Sequence, residues 1–419
     1  MTKALVAGAM ETTDEVTLTS SEQEFVTLIA AYEAELESYF SAYLDFDSSA
    51  QREQVIDDGE FVDPGQQYIP RLLEFEASHR GEDVGLLALN EIFIRSAGTA
   101  RMTAPATVGR GEAATRLTYY QQNPLLPVVA KRALSWKPQV YEPIYSLGNS
   151  PALAPHTRER LRLYVAIHAL EARDNREWAA KRVERLRTGG EPSWARELEN
   201  KLLLLDAWPS ADTLNERYNE AIQTLEELAG KSESPRLLET ERVGNHRCLI
   251  RVADELFELS VAQVAQAALF EARRLVVGAR APDLEVTLLD GSLWRMRDQL
   301  GKVVVIQFSF TGCGPCESMY PVLADLSAEY PERLEILTLL RDEKPDHGLQ
   351  ATKDGKFTWS IAQDGWPGRI TTKWSVSSFP TVYIVDSHGK IARKNASDKE
   401  KLRQRVSQLI EQAKQDAVD

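Results

Sequence analysis

Cysteine is scarce in this chain, with three in 419 residues. A disulfide framework is therefore excluded: at most one pair can close, and one thiol is left over. Long apolar runs are also missing. No stretch approaches the roughly twenty residues that cross a bilayer, so we expect no integral membrane segment. Positive charge is in deficit, with 49 Lys and Arg against 63 Asp and Glu and a formal charge of −14. A field of that sign repels phosphate backbones and anionic lipid surfaces, which argues against nucleic acid as a partner. Only a remnant of an export signal is visible. Lys3 precedes a short apolar run, residues 4–10, and Ala7-Gly8-Ala9 would suit a signal peptidase. We expect residues 1–20 to be a disordered N-terminus. The chain as written reads as cytoplasmic, with an exported or periplasmic form if the true start lies upstream.

What is present points to a soluble multidomain protein. Hydrophobic residues make up 43% and charged residues 27%, close to globular averages, and the length suits two to three domains of about 150 residues. From residue 21 to 278 apolar residues recur three and four apart between Pro and Gly breakers, which predicts an all-α region. Ser21-Glu22-Gln23-Glu24 reads as a capping box opening a helix with Phe25, Leu28, Ile29, Tyr32, Leu36 and Tyr39 on one face. Asp63-Pro64-Gly65 reads as its terminator. Further helices are expected over 68–79, 84–96, 157–173, 176–187, 193–208, 211–229 and 235–275, the last interrupted at Gly244. No repeat period was found, so a bundle and an irregular solenoid stay tied. The arginines between Arg158 and Arg187 alternate with glutamates, which makes a solvated, salt-bridged face rather than an anion site.

After Gly278 the texture changes, and a domain spanning 279–419 is expected. Strand-like runs 284–289 and 303–310 flank an Asp290-Gly291 turn. A helix over 315–330, a strand over 334–340, a helical or loop segment to about 372, a strand over 381–385, a turn with a short strand, and a helix over 398–413 follow. Such alternation implies an α/β sheet covered by helices.

Cys313-Gly314-Pro315-Cys316 directly follows the apolar strand and opens the helix. Two intervening residues let both sulfurs share the first turn, at the roughly 5.5 Å α-carbon separation that a disulfide needs. Cys313, at the positive helix end, should have its thiolate stabilised and act as the nucleophile. Cys316, one turn deeper, should be shielded until a mixed disulfide forms on Cys313, and then resolve it. Pro315 suits the first turn because its missing N–H has no intrahelical partner there. A C-x-x-C is also half of a zinc site, but no second one exists, and the remaining candidates are scattered histidines and the distant His246-Arg247-Cys248. We therefore expect no metal. Cys248 is expected to be a buried free thiol in a helix.

These residues resemble the thioredoxin superfamily, specifically the TlpA-like thiol:disulfide oxidoreductases, over about residue 276 to the end. Residues 277–284, Val-Gly-Ala-Arg-Ala-Pro-Asp-Leu, look like that family's lead-in to the Asp290-Gly291 hairpin. Pro321 is placed as in thioredoxins, where a proline kinks the active-site helix. Ser378-Phe379-Pro380-Thr381 resembles the segment in which the proline is cis and faces the disulfide. The resemblance implies that Phe379 presents backbone to a substrate chain and that the Pro380 ring stands where a metal ligand would otherwise sit. An all-α extension also resembles larger bacterial TlpA-like proteins. Two departures matter. Gly312 stands where thioredoxins usually have Trp, and Gln307 where they often have a buried acid. Gln307 is then expected to be a satisfied buried amide, with Glu317, Lys373 or water deprotonating Cys316. Trp359, Trp366 and Trp374 are aromatic candidates for a substrate groove, although core packing suits Trp359 and Trp374 better.

The function expected is thiol:disulfide exchange in the reductase direction, because the Gly-Pro dipeptide resembles that of thioredoxin. Protein thiols or disulfides would be the substrates, with an electron-donating reductant as partner. No cofactor beyond the Cys313–Cys316 couple is expected. The helical region would be a partner or substrate module. A thiol peroxidase is the nearest rival, although Phe310 occupies the place where peroxiredoxins need Thr or Ser. A non-catalytic helical scaffold carrying a thioredoxin-like passenger is the other.

Overall fold

A computed structural model describes residues 17–44, 62–95, 104–134, 138–189, 202, 205–206, 208–253, 259–342, 346–365, 368–374, 376 and 378–416. Expectations for residues 1–16, for most of the helix over 193–208 and for Trp366 fall outside them. Backbone contacts divide the chain into two compact units, residues 1–224 with 231–261 and residues 225–230 with 262–419.

The first unit is helical apart from one hairpin: α1 (Ser20–Leu44), α2 (Gly65–Ser78), α3 (Asp83–Arg95), α4 (Ala104–Arg116), α5 (Leu126–Leu134), α6 (Tyr141–Gly148), α7 (Pro155–Gly189) and α8 (Ala211–Ala229), the last ending in the second unit. The face predicted for α1 buries Phe25, Ile29 and Tyr32. Its capping box is two residues earlier than expected. Thr19 Oγ1 accepts from the Glu22 N–H at 3.2 Å while the Glu22 carboxylate accepts from the Thr19 N–H at 2.9 Å. Both frames satisfy the Ser/Thr-x-x-Glu pattern, and reciprocal geometry selects the first. Asp63-Pro64-Gly65 opens α2 rather than merely ending what precedes it, with Asp63 Oδ1 accepting from the Gly65 N–H at 2.8 Å. The two helices expected between 157 and 187 are one continuous α7, since nothing from Asp174 to Arg176 breaks a helix.

One expected helix is corrected. Residues 235–275 form an antiparallel hairpin, β1 (Thr240–Val243) with β2 (His246–Val252), and then α9 (Val261–Arg274). Gly244 has φ 54°, so Gly244-Asn245 is a two-residue turn rather than a helix interruption, and Leu249, Ile250 and Val252 are good strand formers.

The second unit is α/β. After α9 come β3 (Glu285–Thr287), β4 (Leu293–Arg295), β5 (Val303–Ser309), α10 (Gly314–Glu317), α11 (Tyr320–Glu329), β6 (Leu334–Leu340), α12 (Asp346–Lys353), β7 (Ser360–Gln363), α13 (Arg369–Lys373), β8 (Thr381–Val385), β9 (Ile391–Lys394) and α14 (Lys399–Asp416). The main sheet has the order β7-β6-β5-β8-β9; β5, β6 and β7 run parallel, and β8 and β9 are antiparallel to their neighbours. Central β5 is buried at every position, which is why it reads as a continuous apolar run. Its alternate residues serve two layers. Val304, Ile306 and Phe308 pack with Trp294, Met296, Trp374 and Tyr383, whereas Val303 and Val305 pack with Met319, Leu323, Leu326 and the α14 residues Leu402, Val406 and Ile410. Gln307 shares the parity of Val303 and Val305, so the pleat turns it toward the helices that carry the cysteines. The edge strand β7 lies in the stretch read as helix or loop, because four residues are too few to display alternation.

Candidate functional site

The site is built at the C-terminal end of β5. Beyond Ser309 the chain turns through Thr311 and Gly312, whose φ of 83° is a conformation that suits glycine and would strain a residue with a side chain. Two carboxylates hold this turn. Asp342, just past β6, accepts from the Thr311 N–H at 3.0 Å, and Glu317 accepts from the Gly312 N–H at 3.2 Å. Cys313 then takes the N-cap position of α10 in an extended conformation, and its sulfur accepts from the Cys316 N–H at 3.3 Å. Cys313 and Cys316 are disulfide-bonded with a Cα–Cα distance of 5.2 Å.

Cys316 is fully buried and Cys313 retains 4% exposure, so in the oxidised state Cys313 is nearly as covered as its partner. Gly314 and Pro315 on the same turn are exposed. The helix expected over 315–330 is split at Ser318-Met319. Pro321 has no N–H to offer the Glu317 carbonyl, so the ladder restarts in α11. A four-residue α10 has little macrodipole, and the local N–H of Cys316 is the donor that reaches Cys313 sulfur.

The Phe379-Pro380 peptide bond is cis. Because Phe308 pairs with Thr381 in the β5–β8 register, Pro380 lies at the same end of the sheet as the turn leading to Cys313. The Phe379 ring meets Phe310 edge-on at 5.5 Å and carries the Arg341 guanidinium over its face at 5.3 Å. Burial holds the Arg341 pKa below its ordinary value.

Gln307 is fully buried and hydrogen-bonded, its Nε2 donating to the Cys316 carbonyl at 3.4 Å and its Oε1 accepting from Thr338 Oγ1 at 3.2 Å. The other candidates for moving the Cys316 proton are occupied differently. Glu317 holds Gly312, and the Lys373 ammonium stands 5.1 Å over the Phe270 ring. Trp374 is core, at 1% exposure. Trp359 lines a cavity of about 340 Å³ with Leu288, Leu289, Glu335 and Ser360, and neither cysteine borders it.

Cys248 lies on a strand, not a helix, as a buried free thiol; burial pushes its pKa up to about 11. Arg341, Asp342 and Thr338 were not singled out from the sequence. All three sit on or just beyond β6, and only strand pairing reveals their proximity to the motif.

Similarity to known proteins falls in the same part of the chain. A family model described as AhpC/TSA family matches residues 277–394. Thiol-disulfide oxidoreductase ResA of Bacillus cereus is 32% identical over 29% of this chain and 70% of its own length. Thioredoxin-like protein YneN of Bacillus subtilis is 31% identical over 27% of this chain and 68% of its own. Among solved structures, the thioredoxin domain of a thiol-disulfide oxidoreductase from Bacteroides vulgatus is similar at 23% identity, with a TM-score of 0.30 over 32% of this chain and 98% of that one. Among the described residues no helix is long and apolar enough to cross a membrane. Through its C-terminal third, the chain belongs to the ResA- and TlpA-like thiol-disulfide oxidoreductases.

Proposed function

We propose that the protein reduces disulfides in client proteins through the Cys313–Cys316 dithiol. The observation that carries this reading is the pair itself: bonded across one turn, with the Cys316 N–H on the Cys313 sulfur. In the reduced protein the Cys313 thiolate attacks a client disulfide, forming a mixed disulfide and releasing one client thiolate. Cys316 then attacks Cys313 sulfur, the protein disulfide closes, and the second client thiolate leaves. Two electrons and two protons pass to the client, and a reductant must restore the dithiol. Gly314 and Pro315 keep the turn compact, cis-Pro380 and the backbone of Phe379 form the rim on which an extended client segment pairs, and no cofactor other than the disulfide takes part. We place the start of this domain at residue 279, with residues 21–278 as the partner or substrate module.

Insulin reduction coupled to a dithiol tests the reading. Wild-type protein should turn over, Cys313→Ser should fall to the uncatalysed background, and Cys316→Ser should accumulate mixed disulfides through Cys313. Full turnover by Cys313→Ser would overturn it. The AhpC/TSA match supplies a reason for one further measurement: peroxide consumption without any client disulfide would favour a thiol peroxidase instead.

A further inference from the structure

Gln307 and Thr338 are direct neighbours in the parallel β5–β6 register, and their side chains belong to a directed series of three hydrogen bonds. The Trp359 indole Nε1–H donates to Thr338 Oγ1 at 2.9 Å, Thr338 Oγ1 donates to Gln307 Oε1 at 3.2 Å, and Gln307 Nε2 donates to the Cys316 carbonyl at 3.4 Å. An indole nitrogen can only donate, so the hydroxyl accepts from it and spends its one proton on Gln307. With its oxygen engaged there, the amide must turn its NH₂ toward Cys316, and Nε2 also stands 4.0 Å from Met319 Sδ. Gln307 and Thr338 are both fully buried, so no bulk water competes for either group.

We propose that Thr338 and Trp359 are positioning residues that hold Gln307 as a neutral donor toward Cys316, ready to stabilise the Cys316 thiolate once the disulfide has opened. This rests on the dithiol reading above. In the resolving step the Cys316 sulfur bonds to Cys313 sulfur, the Cys313–client bond breaks with its electron pair on the client sulfur, and the proton lost by the Cys316 thiol ends on that client thiolate. The charged and titratable groups of the surrounding elements are engaged elsewhere. Glu317 holds the Gly312 N–H, Asp342 the Thr311 N–H, Tyr320 Oη lies against Ser309 Oγ, Arg341 lies over Phe379 and Lys373 over Phe270. On β5 the neutral amide alone reaches the Cys316 backbone.

Reduced full-length protein mixed with dithiobis(nitrobenzoate) separates the two steps, since attack by Cys313 releases one thionitrobenzoate and resolution by Cys316 releases the second. Cys316→Ser should show only the first release; a second release from that variant would sink the dithiol reading itself. With that control in place, Thr338→Val should leave the first release within about twofold and slow the second about tenfold near neutral pH. The pH midpoint of the second should rise by about one unit, the scale of one hydrogen bond to a charged group. Thr338→Ser should restore both. Trp359→Phe, which keeps a ring without the N–H, should slow the second release by about two- to threefold. An unchanged second release in Thr338→Val, or equal slowing of both releases, would overturn the proposal.

Discussion

The two units bury their polar groups in opposite ways. Among the described residues, the first unit buries the charged Asp63, Glu76, Glu91 and Arg110 beside the neutral Asn90 and Thr157, while the buried polar side chains of the second are Gln307, Ser309, Thr338, Thr371 and Thr381, all neutral. Glu76, fully buried, accepts from Arg80 at 3.1 Å, Arg116 at 2.7 Å and Tyr120 at 3.1 Å. Glu91 is bound by Arg95 at 2.6 Å. A partnered buried carboxylate resists any packing that leaves it alone. In the second unit the neutral Gln307 stands where thioredoxins often have a buried acid, so at that position no fixed charge lies beside the cysteines.

The largest expected effect breaks the charged side of this comparison. Glu76→Ala should destabilise the first unit by about 2–4 kcal/mol, because the buried Tyr120 hydroxyl and the half-buried Arg116 lose an acceptor and a cavity is left; urea unfolding followed by circular dichroism measures it, and a cost below about 1 kcal/mol would contradict the assignment. The same carboxylate predicts a pH dependence. Burial pushes Glu76 up, but the hydrogen bonds from Arg80, Arg116 and Tyr120 more than reverse this and leave its pKa below the ordinary 4.5. Its contribution to stability is therefore present above pH 4.5 and lost as pH falls through the lowered folded-state value, so Glu76→Gln should flatten the acid side of the stability curve.

An intermediate effect tests the neutral side. Gln307→Leu should cost about 1–3 kcal/mol, since the buried Thr338 O–H loses its acceptor and the Cys316 carbonyl keeps only the Met319 N–H. Adding Thr338→Val should cost less than the sum of the two single changes. Additive losses in the same unfolding assay would mean that the two side chains are not coupled. The smallest effect should come from Cys248. With its thiol raised to about 11, it should alkylate more than about a hundredfold slower than free cysteine near neutral pH, and rapidly only after denaturation. Fast labelling of the native oxidised protein would show that this strand opens.

Much of the catalytic unit is legible without coordinates. The observed β5, β6 and β8 follow the apolar runs to within a residue, because strands buried on both faces need unbroken hydrophobicity. The Cys313–Cys316 motif and Phe379-Pro380 are equally legible, since each is a local pattern with its own chemistry. The edge strand β7 and the hairpin at residues 240–252 were not. The first is too short for a period to show, and the second mixes Glu, Arg and His among its apolar residues, so its register emerges only when the strands pair. The break between α10 and α11 follows from Pro321, whose effect on the active-site dipole becomes clear when the lost hydrogen bond is located.

Taken alone, the chain's order of residues determined that a dithiol follows a buried strand, that a cis-capable proline precedes another, and that the formal charge is −14. Tertiary structure alone decided which groups surround the cysteine turn: Thr338, Trp359, Asp342 and Arg341 are 22 to 46 positions from Cys313 or Cys316 in the chain and come near it through pairing of β5 with β6 and of β6 with β7. The physical reason is that a motif's reactivity is set by hydrogen bonds and charges a few ångströms away, and proximity of that kind is a property of sheet register rather than of sequence separation.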